Sequence, residues 1–348
     1  MSLYSRREKD KMNPKQRKRN RQRVKDTSSK QSVDAGNDDS SNATAPKQRH
    51  RPVIPSLQRS AISISKKKFS TPTTDGSAYH QLLREHHAGF VVVPAGKVRP
   101  PDFHHAAKAA LEKLRDAGYY QYDMVMAGGK NLSRTFVQRC LVGDPGITYK
   151  YLGLRLFAHA WSGPDVSSHF RDIYRMNQEK IRMTKEQVKQ QPASNRSRGS
   201  CEYNLTLINY MEPACDAVLK EEEFYGMGKA SVSWHADSSL QDHSSIGVYH
   251  TLPTQKACIW DWKIALRQNP DTPDVVQPVV VPTKSGDVYF LLGQFNHTHQ
   301  HMVLAGSTTR RISSTHRVAV TDTDTYEYIR DRCSTALKSV WTFLTFLK

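Results

Sequence analysis

Between Tyr203 and Leu292 the chain is a succession of short runs of strand-forming residues, and no long helix can be threaded through them. Tyr203 to Tyr210, Ser245 to Thr251, Ala257 to Trp262, Val275 to Val281 and Val288 to Leu292 are rich in Val, Ile, Leu, Tyr and Thr, with Gly, Pro, Asp and Ser between them. β-branched and aromatic side chains suit a pleated, half-buried surface. Many short strands joined by turns predict a sandwich or a jelly roll. Upstream the periodicity is helical. Asp102 stands where it can cap a helix in which Phe103, Ala106, Ala107, Ala110, Leu111 and Leu114 recur at helical spacing, with Gly118 to end it. Asp165 to Gln191 is highly charged, and Phe170, Ile173, Tyr174, Ile181 and Met183 give it a partial helical stripe. Ser194 to Ser200 reads as a polar loop, and the folded part is expected to start near Tyr79. Tyr326 to Lys348 reads as a final helix whose Val340, Trp341, Phe343, Leu344 and Phe346 need a partner surface.

Charge divides the chain further. The net charge of +18 is concentrated in residues 1–70, which hold 19 Lys or Arg against 6 Asp or Glu. Residues 1–75 are polar and of low complexity, a composition that cannot bury enough surface to order itself, and they are expected to form a disordered basic tail. The cluster Lys15-Gln16-Arg17-Lys18-Arg19-Asn20-Arg21 suits nuclear import or RNA binding, or is simply a solvated tail. The five cysteines are odd in number and include no C-x-x-C pair, which argues against a disulfide framework or a structural zinc site. No run of 18 or more apolar residues exists and no apolar signal core opens the chain. The expectation is a soluble, intracellular protein without a membrane partner; the sequence sets no oligomeric state.

The chemistry-bearing residues lie in the strand-rich half. Trp234-His235-Ala236-Asp237 is followed some 60 residues on by His297-Thr298-His299-Gln300-His301. On a strand, positions two apart share a face, so His235 and Asp237 can reach one metal ion, and any of the three later histidines can complete a two-His, one-carboxylate triad. Such a triad leaves coordination positions open, as non-haem Fe(II) oxygenases require. Arg311 and Arg317, six residues apart, fall on one face of a strand, and paired guanidinium groups suit a dicarboxylate cosubstrate. A cupin-type zinc site would leave both arginines without a role.

Several longer runs resemble the FTO (fat mass and obesity-associated) branch of the AlkB-type Fe(II)/2-oxoglutarate-dependent demethylases. They are Gly226-Met227-Gly228-Lys229 leading into Val232-Ser233-Trp234-His235, Gly286-Asp287-Val288-Tyr289-Phe290, Thr298 to Ser307, Ser313 to Val318, and Gly143 to Leu152. The resemblance spans roughly residues 90–335. It implies an α+β fold with a double-stranded β-helix (jelly roll) core and flanking N-terminal helices, with a catalytic domain at 76–325 and, at 326–348, the remnant of a helical C-terminal domain. It implies iron held by His235, Asp237 and His301, and 2-oxoglutarate held by Tyr289, Arg311 and Ser313 at its distal end and by Asn209, Arg317 and Thr315 near the metal. Arg139, Tyr149, Tyr151, Leu152, Val232 and Ser233 fall on base-binding positions, as do Ala236 and Ser238. Residues 217–228 match a loop that covers the site in the family and disfavours double-stranded DNA.

The pattern also departs from the family. Ala236 and Ser238 replace a His and an acidic residue of animal members, so a carboxylate that accepts from the base is missing. The interval from His301 to Arg311 is one residue longer, which predicts a small bulge at Arg310. The resemblance implies oxidative demethylation with Fe(II), 2-oxoglutarate and O2, ascorbate as reductant, and release of succinate, CO2 and formaldehyde. The expected substrate is single-stranded RNA or DNA carrying N6-methyladenine or, second, 3-methyl-pyrimidines, in the nucleus. The rivals are an oxygenase of the same chemistry acting on protein side chains and an RNA-binding protein without catalysis.

Overall fold

The computed structural model describes residues 77–127, 131–151, 154–192, 199–212, 219–252, 262–269, 278–306, 310–323 and 325–346. The basic tail, Leu152, most of the expected run Ala257 to Trp262 and the polar loop at 193–198 lie outside them. Of two units, 1–61 and 62–348, the second holds every element below.

Apart from one hairpin within the smaller sheet, sheet membership alternates along the second half of the chain, and that alternation defines the architecture. Strands β8 (Leu205–Met211), β10 (Ile246–Thr251), β13 (Val288–Leu291) and β15 (Arg311–Arg317) lie in one sheet, whereas β9 (Ala230–His235), β11 (Trp262–Gln268), β12 (Val279–Thr283) and β14 (His299–Leu304) lie in another. The small sheet runs β12-β11-β14-β9. The large one is widened by β1 (Phe90–Val93), β4 (Gln138–Gly143) and β7 (His159–Ala160) into β1-β13-β10-β15-β8-β4-β7. This is a jelly roll, and the α+β class follows from helices laid on the large sheet. All neighbouring strands are antiparallel except β4 and β7. Two ribbons pair only within themselves: β2 (Met124–Ala127) with β3 (Asn131–Arg134), and β5 (Thr148–Tyr151) with β6 (Leu154–Phe157).

The large sheet is covered on both faces. Phe103, Ala107, Leu111 and Leu114 of helix α2 (Phe103–Asp116), and Phe170, Ile173, Met176 and Met183 of α3 (Ser168–Gln190), pack on Cys140, Val142, Ile208, Tyr249, Phe290 and Ile312. The opposite face supplies Met211, Ile246, Val248, Tyr289 and Leu291, which meet Trp262, Ile264, Leu266, Val279, Val281 and Val303 of the small sheet. Each fully buried aliphatic side chain contributes roughly 1.5–3 kcal/mol. Burial on both faces is why β8, β10 and β13 show no regular polar–apolar alternation. Helix α1 (Ser77–His86) precedes β1, and α5 (Tyr326–Phe346) starts where Tyr326 N–H donates to the Gly146 carbonyl at 2.8 Å.

Some local expectations change. Asp102 occupies the N-cap position of α2 but its side chain makes no capping bond, whereas Gly118, at φ +74°, does end that helix. Tyr174, placed in the apolar stripe of α3, is exposed, because the buried face runs through Asn177, Lys180 and Thr184 instead. Strand β11 lies later than expected, at Trp262–Gln268. Arg310 lies just before β15, which begins at Arg311 in unbroken register with β8; register shifts lie between β14 and β9. The apolar cluster from Val340 to Phe346 falls on helical backbone whose side chains are outside the described set.

Lys180 is wholly buried between α3 and the large sheet, its Nζ 4.7 Å from the centre of the Phe290 ring and without a hydrogen-bond partner. Burial pushes its pKa well below the lysine range. Between the lowered folded pKa and the ordinary lysine pKa the unfolded chain binds more protons at position 180 than the folded chain, so stability rises with pH across that window. Lys180→Met should raise unfolding free energy at pH 7 by about 1–3 kcal/mol, the cost of an unsatisfied buried donor, with the gain shrinking towards pH 10. Urea denaturation at several pH values checks this, and a destabilised variant would contradict it.

Candidate metal centre

The backbone register brings the triad together. His301 of β14 lies directly opposite His235 of β9, and cross-strand neighbours have their Cβ atoms roughly 4.5–5.5 Å apart. One ligand atom from each of His235, Asp237 and His301 falls within 4.8 Å of the others, and His235 Nε2 is 3.7 Å from Asp237 Oδ1. Among the described residues this is the one such group of histidine, cysteine and carboxylate side chains. The competing histidines are otherwise engaged. His299 places Nε2 2.8 Å from the His86 carbonyl and stacks on Phe295 at 4.2 Å, while His297 lies in the helical turn α4 (Phe295–Thr298) and accepts from the His243 backbone N–H at 3.2 Å.

One premise of the sequence reading changes here. Strand β9 ends at His235, so Asp237 stands in the following loop rather than two residues further along the strand. Its position comes from side chains. Arg317 donates to Asp237 Oδ1 at 2.7 Å, and Asn296 bonds to both backbone groups of Asp237.

Protonation suits a metal. His235 Nδ1 is 2.8 Å from the Ser233 carbonyl, which can only accept, so Nδ1 donates there and Nε2 is the ring atom turned to Asp237. Burial pushes His301 down to about 3, with His235 adding to the effect, so its ring is neutral. Burial alone would raise the Asp237 carboxyl, but the charge of Arg317 and the hydrogen bond it donates oppose this, and the carboxyl lies below the usual carboxylate range. Its buried Oδ2 has no protein partner. Two imidazole nitrogens and a carboxylate oxygen are the donor set of a facial triad.

The triad opens into a cavity of about 520 Å³ between the sheets. Alternation along β15 puts Arg311, Ser313, Thr315 and Arg317 into its wall and turns Ile312, Ser314 and His316 towards the helices. Asn209 of β8, the register partner of Ser313, and Tyr289 of β13 line the same wall. Arg311 is 1% exposed; one Nη donates to Ser313 Oγ at 3.2 Å, while Nε and the other Nη lack a well-formed hydrogen bond, with the Tyr289 hydroxyl close enough to interact with the guanidinium. A buried guanidinium with unmatched donors is costly unless an anion reaches it. Arg311, Ser313 and Tyr289 thus fit a carboxylate, and the cavity connects them to the triad.

The remaining predicted residues are distributed around the mouth. Tyr149, Tyr151, Val232, Ser233, Ala236 and Ser238 line the cavity. Arg139 does not: its guanidinium pairs with Asp123 and lies 4.0 Å from the centre of the Tyr151 ring, bracing that side chain from behind. Residues 219–229 are absent from the lining. Glu222 receives the backbone N–H groups of Phe224 and Tyr225 and the indole of Trp234, which ties this loop to β9. Sequence reasoning missed the hairpin that supplies Val125, Ser133, Arg134 and Phe136 to the lining, and it missed Asn296. No short motif marks either.

Comparison with known proteins agrees with this geometry. Residues 77–320 match the family model of the FTO catalytic domain. The chain belongs to the FTO catalytic-domain family. It is 33% identical over 288 residues to the alpha-ketoglutarate-dependent dioxygenase FTO of Xenopus laevis, a match covering 69% of this chain and 56% of that protein, so the chain spans little more than half of that relative. Solved structures similar to it include a Trichoplax adhaerens prolyl hydroxylase in complex with a hypoxia inducible factor peptide, with TM-score 0.41, 10% identity, and coverage of 69% of this chain and 86% of that one. A 2OG-Fe(II) oxygenase of Burkholderia pseudomallei gives TM-score 0.39 and 15% identity over 73% and 94%.

The two halves of the FTO-type site should separate by mutation. His301→Ala should abolish binding of Mn(II), measured by calorimetry. Arg311→Met should leave Mn(II) affinity unchanged and weaken anaerobic 2-oxoglutarate binding by roughly 10- to 100-fold, corresponding to about 1.5–3 kcal/mol for charged hydrogen bonds. Equal 2-oxoglutarate affinity in the variant would remove Arg311 from the cosubstrate site.

Proposed function

We propose that this chain is an Fe(II)- and 2-oxoglutarate-dependent demethylase of N-methylated bases in single-stranded nucleic acid, with RNA preferred to DNA and N6-methyladenine preferred to 3-methyl-pyrimidines. The observation that carries the reading is the common cavity shared by the triad and the partly unmatched Arg311 guanidinium. Family membership supports it, as does the name of the Xenopus relative.

His235, Asp237 and His301 would hold Fe(II). Arg311, Ser313 and Tyr289 would receive the distal carboxylate of 2-oxoglutarate, with Asn209, Thr315 and Arg317 near its other end. With O2 and 2-oxoglutarate, the iron supplies the oxidation that converts an N-methyl group to a hydroxymethyl group lost as formaldehyde, leaving succinate and CO2. The protein's own contribution is position and dryness. Tyr151, braced by Arg139, gives the cavity an aromatic wall on which an extruded base stacks. Val232 and Ser233 approach from β9, and Ala236 and Ser238 flank the metal carboxylate. Because neither Ala236 nor Ser238 is acidic, base selection rests on shape and neutral hydrogen bonds.

The mouth suits a phosphate backbone. Arg134 and Lys150 line it and are exposed, and the Arg134 guanidinium lies 4.2 Å from the centre of the Tyr122 ring, which limits its orientations. Together with the basic residues of positions 1–70 they supply sequence-independent attraction. The same basic tail supports a nuclear location.

The test is mass spectrometry of single-stranded RNA carrying N6-methyladenine or 3-methyluracil, incubated with protein, Fe(II), ascorbate and 2-oxoglutarate. Methyl loss that requires 2-oxoglutarate and vanishes in His301→Ala is expected. Succinate without methyl loss would direct the chemistry to protein side chains, and iron binding with no succinate would leave a nucleic-acid-binding protein. Deleting residues 1–70 should weaken RNA binding and flatten its dependence on salt while turnover of a methylated mononucleotide persists. Loss of mononucleotide turnover would contradict that division.

A further inference from the structure

Asp237 lies beyond the end of β9, so ladder hydrogen bonds do not fix its backbone. Yet a metal ligand must be held closely, because a small displacement of its carboxylate changes the coordination geometry. The side-chain amide of Asn296 satisfies both main-chain groups of Asp237: the Asp237 N–H donates to Asn296 Oδ1 at 2.9 Å, and Asn296 Nδ2 donates to the Asp237 carbonyl at 2.8 Å. The two residues are 59 positions apart.

Asn296 is itself held in place. It belongs to α4, the helical turn that leads directly into β14 and His301. The neighbouring Phe295 is 2% exposed, lies 5.7 Å from Phe90 between ring centres, and stacks on His299 at 4.2 Å. The amide therefore links the loop carrying the second ligand to the segment carrying the third. Arg317 meets the carboxylate of Asp237 from the opposite part of the fold. The side chain is thus fixed by one partner and the main chain by another.

We infer that Asn296 is a positioning residue for the metal centre, setting the Asp237 carboxylate against the two imidazoles through a reciprocal backbone clamp. The inference rests on the metal-binding reading of the triad and on no particular substrate. Only a short side chain with one donor and one acceptor can make both bonds. An aspartate would turn an oxygen against the Asp237 carbonyl, a serine would keep one bond at most, and an alanine would keep neither. Groups that orient metal ligands typically account for about 10- to 100-fold in metal affinity.

The experiment uses the full chain and Mn(II) as probe, with affinity from calorimetry, the bound ion's electron paramagnetic resonance spectrum, and melting curves with and without metal. Asn296→Ala should bind Mn(II) about 10- to 100-fold more weakly and give an altered spectrum. Its metal-free melting temperature should stay near that of the parent while the metal-induced rise shrinks. Asn296→Ser should fall between the two, and it serves as the test if the alanine variant does not fold. Parental affinity and spectrum in a folded variant would overturn the inference, as would a parent chain that binds no Mn(II). A parent that binds Mn(II) but demethylates nothing would count against the proposed reaction and leave the clamp standing.

Discussion

Strand β15 is the constraint on which the rest depends. It is hydrogen-bonded along both edges, to β10 and to β8, and all seven of its residues are buried. Such a strand cannot slip by one residue without exchanging its two faces. One face presents Arg311, Ser313, Thr315 and Arg317 to the cavity, and the other presents Ile312, Ser314 and His316 to the helical layer. His316 reinforces the assignment: its Nδ1 lies 2.7 Å from Asn177 Oδ1 and 2.9 Å from Thr206 Oγ1, and its Nε2 lies 3.2 Å from Ser314 Oγ. A slip would strand two guanidinium groups against apolar helices and abandon this network at once. Register and site chemistry are therefore one specification.

Much of this was legible in the residues because it follows from periodicity and from chemical type. The strand-rich second half, the two long helices and the paired arginines are local patterns that a buried fold has few ways to satisfy. The choice of His301 among three histidines was not local: it comes from the β9–β14 register and from the helical turn that removes His297 from the strand. Asp237 joins the two histidines for a different reason from the one alternation suggests, since bonds from Arg317 and Asn296 replace strand geometry. Arg139 shows the same limit. Its residue type suits base recognition, but its pairing with Asp123 and its contact with Tyr151 place it behind the wall. Long-range partners decide such cases, and spacing along the chain does not record them.

The buried ionic groups are organised by what they face. Asp237 and Arg317 compensate each other and stay ionised. Arg311 keeps two donors unmatched on the cavity side, whereas Lys180 on the helical side has no partner and is driven towards its neutral form. A guanidinium cannot shed its proton to escape burial as an amine can. The same low-dielectric interior therefore yields a standing demand for an anion at position 311 and only an instability at position 180.

The ribbons β2–β3 and β5–β6 pair only within themselves, yet they supply much of the cavity mouth. Met124 and Leu132 on the first ribbon and Phe157 on the second are exposed, so much of their surface is free of core packing. The second ribbon is tied to the ladder at one point, where buried Tyr149 packs on Leu205 and Leu207 of β8 and its ring centre lies 5.3 Å from the Arg317 guanidinium. In evolutionary terms the exposed side chains of the two hairpins are free to drift and reshape the mouth, while Tyr149 marks the position where such drift would be felt at the buried arginine wall.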